Sequence, residues 1–265
     1  NAWKGPRAAP VRLLPEKLPV DQLPQPGPDL RRELLPIGID EDELKPVFLD
    51  LDEEPMLFIT GAKECGKSNL LEVIAKGIVQ RYTPREAKVV IVDYRRSLLD
   101  ALSGSEHLLA YAPSQDAAKS LMKDIAGALK ARIPGPNVTP EQLKTRSWWS
   151  GSELYIIVDD YDLVATSSGN PLSPIADMVS QARDIGLHMI IARGFGGVGR
   201  AMFDPILQRA RDMGNPALIM SGTKDEGSIW GIKAEPLVPG RGTLVSRRLG
   251  NKLIQTAWIP RPEDD

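Results

Sequence analysis

Eight consecutive residues, Gly61-Ala62-Lys63-Glu64-Cys65-Gly66-Lys67-Ser68, carry two glycines, a lysine and a hydroxyl at the spacing needed to wrap a backbone around phosphates. Glycines at both ends let the main chain close in, so that its N–H groups and a following helix N-terminus supply positive potential. Lys67 then reaches the β- and γ-phosphates, the Ser68 hydroxyl takes one position on Mg²⁺, and Asn69 follows on the helix. Together these groups specify a nucleoside triphosphate. The second chemical cluster is Asp159-Asp160, about 90 residues later. Asp159 is suited to hold Mg²⁺ through water and Asp160 to orient the attacking water, which makes Lys67 and Asp160 the candidate catalytic pair. Glu64 is a discordant note, since a carboxylate inside the loop sets negative charge near the triphosphate unless Lys63 or a neighbouring subunit offsets it.

The elements that must position these groups are legible around them. Met56-Leu57-Phe58-Ile59-Thr60 reads as a buried strand entering the loop, and a helix over 68–82 leaves it, stopped by Thr83-Pro84. Lys88–Asp93 and Leu154–Val158 are continuous apolar runs, as in strands covered on both faces of a parallel sheet. Each delivers acids at its carboxyl end, where α/β proteins bind ligands. The polar cluster Asp93-Tyr94-Arg95-Arg96 lies on the same rim. Further helices are expected near 114–132, 173–185 and 200–212, and further strands at Leu108–Tyr111, His188–Ala192, Ala217–Ser221, Gly242–Arg247 and Leu253–Ile259. His188, at a strand start away from that rim, reads as structural. Leu35–Asp40 and Pro46–Leu51 read as a hairpin at the sheet edge. The expectation is therefore an α/β fold: a mostly parallel sheet of roughly seven to nine strands, with helices on both faces and an N-terminal edge hairpin.

Composition sets the outer limits. The 33 basic and 35 acidic residues leave a net charge of −2, so no overall field draws the chain onto DNA or an anionic membrane. Cys65 is the single cysteine, which excludes an internal disulfide and suits a reducing cytosol; at a helix N-terminus beside Lys67, its thiol is expected to ionise more easily than a free one. No run is long and apolar enough to span a membrane. Residues 1–34 hold Pro6, Pro10, Pro15, Pro19, Pro24, Pro26 and Pro28, a spacing that forbids helix and predicts an arm or linker, with Val11, Leu13 and Leu18 as candidates to pack. Residues 35–265 are then one domain. A start at Asn1 within this Pro-rich segment predicts an excised fragment.

The chain resembles the FtsK-type motor ATPases, and within them the EccC ATPases of type VII (ESX) secretion. The resemblance rests on Leu35–Asp40, Gly61–Ser68, Val92–Arg96, Val158-Asp159-Asp160, Gly186–Ala192 and Pro239-Gly240-Arg241-Gly242, and covers about 35–260. It implies a RecA-like P-loop NTPase domain, the C-terminal (third) one of its motor, binding ATP and Mg²⁺. It also implies a hexamer with neighbouring ATPase domains, on the cytosolic face of a membrane-anchored complex, that recognises exported helical-hairpin proteins by a C-terminal signal. No contact with nucleic acid or membrane is expected of this segment. Two departures stand out. Asp160 is a methylene shorter than the usual glutamate, and Arg193-Gly194-Phe195-Gly196 stands where DNA-pumping relatives carry Thr-Gln-Arg-Pro with its γ-phosphate sensor. Slow hydrolysis, or a degenerate module that holds ATP while recognising substrate, is the expectation; DNA translocation is the third alternative. The stripe Ala118, Leu121, Met122, Ile125 and Leu129 of the 114–132 helix reads most simply as core and the paired Trp148 and Trp149 as core or lid packing; for the exported signal, an apolar surface near Leu121, Ile125 and Leu129 with Trp148 and Trp149 is the candidate groove.

Overall fold

The computed structural model describes residues 13–25, 27, 30–223 and 227–260. Its centre is one ten-stranded sheet in the order β2-β1-β12-β11-β8-β3-β7-β6-β4-β5. The inner strands β3 (Met56–Gly61), β4 (Ala87–Val92), β6 (Glu153–Val158), β7 (Leu187–Gly194) and β8 (Ala217–Met220), with the edge strand β5 (Leu108–Ala112), all run parallel. Their continuous apolar runs are buried as that arrangement requires; β3 has no exposed residue. β1 (Leu34–Asp40), β2 (Pro46–Asp50), β11 (Arg241–Ser246) and β12 (Gly250–Thr256) extend the sheet by antiparallel pairing, which places the N-terminal hairpin at the opposite edge. A small hairpin, β9 (Ser228–Ile229) with β10 (Ile232–Lys233), lies apart from the sheet and stacks Trp230 on Phe58 at 5.0 Å. Ten strands exceed the expected seven to nine because the short edge and C-terminal strands all pair in.

Helices cover both faces. α1 (Lys67–Arg81) packs Leu70, Leu71, Ile74 and Ile78 against Leu57, Ile59 and the hairpin's Leu35. α2 (Gln115–Lys130) packs Ala118, Met122, Ile125 and Leu129 against the other face. Burying such a side chain is worth about 1.5–3 kcal/mol each, so the two clusters clamp the sheet from either side. The loop region 133–152 contains α3 (Pro140–Thr145), opened by a capping box between Thr139 and Gln142. α4 (Tyr161–Val164) follows the acidic strand.

Two expected helices differ. Ser173–Gln181 is wound as a 3-10 segment, with Ile175 N–H on Leu172 O at 3.1 Å and Ala182 N–H on Val179 O at 3.1 Å. The helix expected over 200–212 is split into α5 (Val198–Ala201) and α6 (Pro205–Asp212), because Asp204 leaves the helix to cap the second, its Oδ1 accepting from Ile206 N–H at 3.0 Å and Leu207 N–H at 3.3 Å.

Of the arm, Pro6, Pro10, Val11, Pro26 and Pro28 lie outside the described residues. The rest is laid along the domain: Leu18 and Leu23 are buried, and Trp258 N–H donates to Leu18 O while its carbonyl accepts Val20 N–H. Leu13 remains exposed. No helix among the described residues is long and apolar enough to cross a membrane.

Candidate functional site

Parallel pairing of β3, β7, β6 and β4 brings four strand ends to one rim, and the chemistry collects there. The loop after β3 turns with Gly66 at φ 102°, a value that favours glycine, and hands over to α1 at Lys67. A side chain at Gly61 would collide with the Cys65 sulfur and Met220 Cβ, so the first glycine is required by packing inside the cradle. Lys67, 8% exposed, folds its ammonium back onto Gly61 O at 3.1 Å and Ala62 O at 2.7 Å. The Ser68 hydroxyl donates to Asp159 Oδ2 at 2.6 Å, across 91 residues of sequence. These are hard oxygen donors held side by side, the set that suits a divalent cation bound with few protein ligands and the oxygens of a polyphosphate. The residues present therefore fit Mg²⁺ and a triphosphate.

Asp159 is 1% exposed and its other oxygen accepts the Asp160 N–H at 2.9 Å. Burial pushes its carboxyl up to about 6, with the charges of Asp160 and Asp93 adding and the Ser68 hydroxyl opposing. A carboxyl whose folded pKa exceeds its unfolded value holds its proton more tightly when folded, so its contribution to stability falls as pH rises through about 6. In metal-free protein, wild type should lose stability relative to Asp159→Asn between about pH 4 and pH 6, measured by urea unfolding. An unchanged difference between the two proteins would refute the assignment.

Asp160 sits in the left-handed region at φ 44° and takes the Arg95 guanidinium, Nε to Oδ2 at 2.6 Å. Asp93, fully buried at the end of β4, accepts from Arg95 N–H, Leu98 N–H and the Tyr111 hydroxyl. Lys63 and Glu64 pair at 3.3 Å with both side chains more than 80% exposed, which offsets the discordant carboxylate locally but weakly. Cys65 departs from the reactive thiol that a helix N-terminus implies. It is 3% exposed, and burial pushes its thiol up against the opposing charge of Lys67.

Asn69 has a bracing role. Its amide donates to Ala257 O at 2.9 Å and its carbonyl accepts Ile259 N–H at 3.0 Å, tying α1 to the chain beyond β12. That tie closes one side of a recess of about 200 Å³ between Gly66, Val238, Pro239, Gly240, Gln255–Trp258 and the arm's Glu16 and Lys17. Sequence reasoning missed this wall. The Pro239-Gly240 turn was its one local signal, since Gly240 N–H donates to Cys65 O at 2.8 Å only after β11 and β12 have folded back. The phosphate cleft proper, about 910 Å³, is lined from Lys63 to Asn69 and by Arg95, Asp160, Asp162 and Gly194.

The proposed peptide groove is not brought together. Ile125 and Leu129 are buried in the core and Leu121 packs against it. The amphipathic stripe of α2 is spent on the sheet, so it leaves no open apolar surface. Trp148 donates its indole N–H to Arg132 O at 2.6 Å and Trp149 to Asp184 O at 2.8 Å, with the Arg132 guanidinium over the Trp149 ring. Both tryptophans brace the loop. His188 is structural as expected, buried between Leu51 O and Glu153 and stacked on Tyr155 at 4.3 Å.

The model of the FtsK/SpoIIIE family matches residues 27–134. The ESX secretion system protein EccC of Thermomonospora curvata is 55% identical over 259 residues, which are 97% of this chain and 19% of that protein. The structure of Thermomonospora curvata EccC (ATPases 2 and 3) in complex with a signal sequence peptide superposes with a TM-score of 0.92 at 53% identity, covering 98% of this chain and 46% of that one. A solved structure described as an ATPase matches at a TM-score of 0.82 and 34% identity, covering 93% of this chain and 97% of its own. The chain thus spans about a fifth of the curated relative and under half of the peptide-bound one.

Proposed function

Because the chain belongs to the EccC ATPases of ESX secretion systems, within the FtsK/SpoIIIE family, we propose that it is the third, C-terminal ATPase domain of such a motor, with residues 35–265 as the domain and 1–34 as an arm. It binds ATP with Mg²⁺ at the rim described above and hydrolyses it slowly. The observation that carries this is the 2.6 Å contact between Ser68 and Asp159, which joins two distant motifs at one point. Mg²⁺ there would neutralise charge on the β- and γ-phosphates. Lys67 would leave the loop carbonyls for the phosphates, and Asp160 would orient water. The recess beside Gly66 suits the flat face of a base, with Trp258 and the arm's Lys17 as its outer wall.

The relative solved with a signal sequence peptide supports recognition of exported proteins by a C-terminal signal as the partner task. Assembly as a hexamer with neighbouring ATPase domains, on the cytosolic face of a membrane complex and without nucleic acid, completes the proposal. A second reading, in which ATP is held and substrate recognition is the whole task, is favoured by one observation: Asp160 is already engaged by Arg95. Single-turnover hydrolysis and signal-peptide affinity measured on the same preparation separate the two. Mg²⁺-dependent turnover within minutes to an hour supports the motor; ATP retained intact for hours while peptide binds supports the holding module and removes the enzymatic claim.

A further inference from the structure

Resting on that nucleotide reading, we propose that Arg95 is this domain's own contact to the γ-phosphate, parked on Asp160 until a triphosphate enters. Three cationic side chains line the cleft among the described residues: Lys63, Lys67 and Arg95. Lys67 belongs to the loop, and Lys63 points out into solvent beside Glu64. The strand next to the loop, β7, brings only Gly194, whose N–H is already taken by Asp162 Oδ1 at 3.0 Å. The neighbouring Arg193 is turned away onto Gly194 O and Gly196 O. Among the described residues, Arg95 is therefore the one guanidinium that lines the cleft.

Its geometry is that of a mobile side chain on a fixed base. The buried Asp93 holds the Arg95 N–H at 3.1 Å and the Leu98 N–H at 2.7 Å, and is itself fixed by the Tyr111 hydroxyl at 2.8 Å. The Arg95 side chain is nevertheless 59% exposed. Its pair with Asp160 uses Nε, leaving both Nη groups without a protein acceptor among the described residues. A phosphate offers the planar fork two oxygens and more charge than one carboxylate, so it outcompetes a single Nε contact. Transfer would also release Asp160, the residue expected to face the water, which is held in a left-handed backbone conformation. Arrival of the third phosphate and readiness of the acid are thereby linked through one side chain. A diphosphate does not reach Arg95 and leaves the pair intact.

The test compares Mg²⁺-dependent affinities for ADP and for a non-hydrolysable ATP analogue in wild type, Arg95→Ala, Arg95→Lys, Asp160→Asn and the Arg95→Ala/Asp160→Asn double variant. Thermal unfolding checks that each is folded. Arg95→Ala should lose about tenfold for the triphosphate and stay within twofold for ADP, with Arg95→Lys between. Asp160→Asn should tighten the triphosphate severalfold, and only while Arg95 is present, a coupling that the double variant reads directly. Equal losses for both nucleotides, or none, overturn the role of Arg95 while leaving the cleft's assignment intact. Wild type that binds neither nucleotide overturns both.

Discussion

Lys67→Ala should abolish measurable binding of Mg²⁺-ATP while leaving the fold in place. In the structure the ammonium is nearly enclosed and bonded to two carbonyls of its own loop, a position from which it can turn onto phosphates with little loss of order. Removing a cation that meets a polyanion inside such a cradle costs on the order of 3–5 kcal/mol, or about two to four decades in affinity. Truncation opens the space the side chain filled to the adjoining cleft, so water can reach the two carbonyls left behind, and the apolar clusters on both sheet faces are untouched. Circular dichroism should therefore superimpose on wild type, and calorimetry with ATP should show no heat of binding. Retention of affinity within a factor of three would refute the assignment of the loop.

That assignment was legible because every component is local or periodic. The glycine-lysine-serine spacing, the apolar runs of β3, β4 and β6 and the acids that end them need no long-range information, and parallel pairing alone puts them on one rim. The same logic gave the N-terminal hairpin and both helix-covered faces. What escaped the sequence depended on contacts between distant segments. The recess beside Gly66 is walled by residues near 16, 239 and 257, brought together only when β12 pairs with β1 and the arm pairs with Trp258. Arg95 was visible as part of a polar strand end, but its partner was not, since Asp160 arrives from another strand. The α2 stripe is core, as its simplest reading has it, while its second reading as a peptide groove fails because an amphipathic face reads alike whether a peptide or the protein's own sheet covers it. The helix break at Asp204-Pro205 was written in the sequence, and local capping chemistry prevailed there over the apolar periodicity across it.

The arm links these observations. Arg241 donates to Leu14 O and Pro15 O, Gln255 donates to Glu16 O, and Trp258 bonds Leu18. The segment 14–20 thus lies against the wall of the recess beside Gly66 and shares β12 and the residues after it with that recess.

Gly38→Ala should be the most damaging single-methyl change outside the cleft, because β12 cannot yield. Gly38 lies at the β1 irregularity after Pro36 and faces Thr256 across the β1–β12 pairing. A Cβ there would meet the Gln255 carbonyl, with Gln255 C and Thr256 Cα both at 2.9 Å, and all three are backbone atoms of a paired strand. Relief requires one strand to move, which costs about 3 kcal/mol on the scale of overpacked sites. For a chain of this size that corresponds to a fall in Tm of roughly 6–12 °C. The movement would fall on Gln255 and Ala257, the residues that hold the arm and receive the Asn69 amide, so ATP affinity should drop together with stability. Gly127→Ala is the internal contrast: in α2, with nothing within 4 Å of the new methyl group, it should raise stability by about 0.5–1 kcal/mol and leave ATP affinity unchanged. If Gly38→Ala melts with wild type, the pairing of the N-terminal hairpin to the last strand, and with it the wall of the recess, is drawn incorrectly.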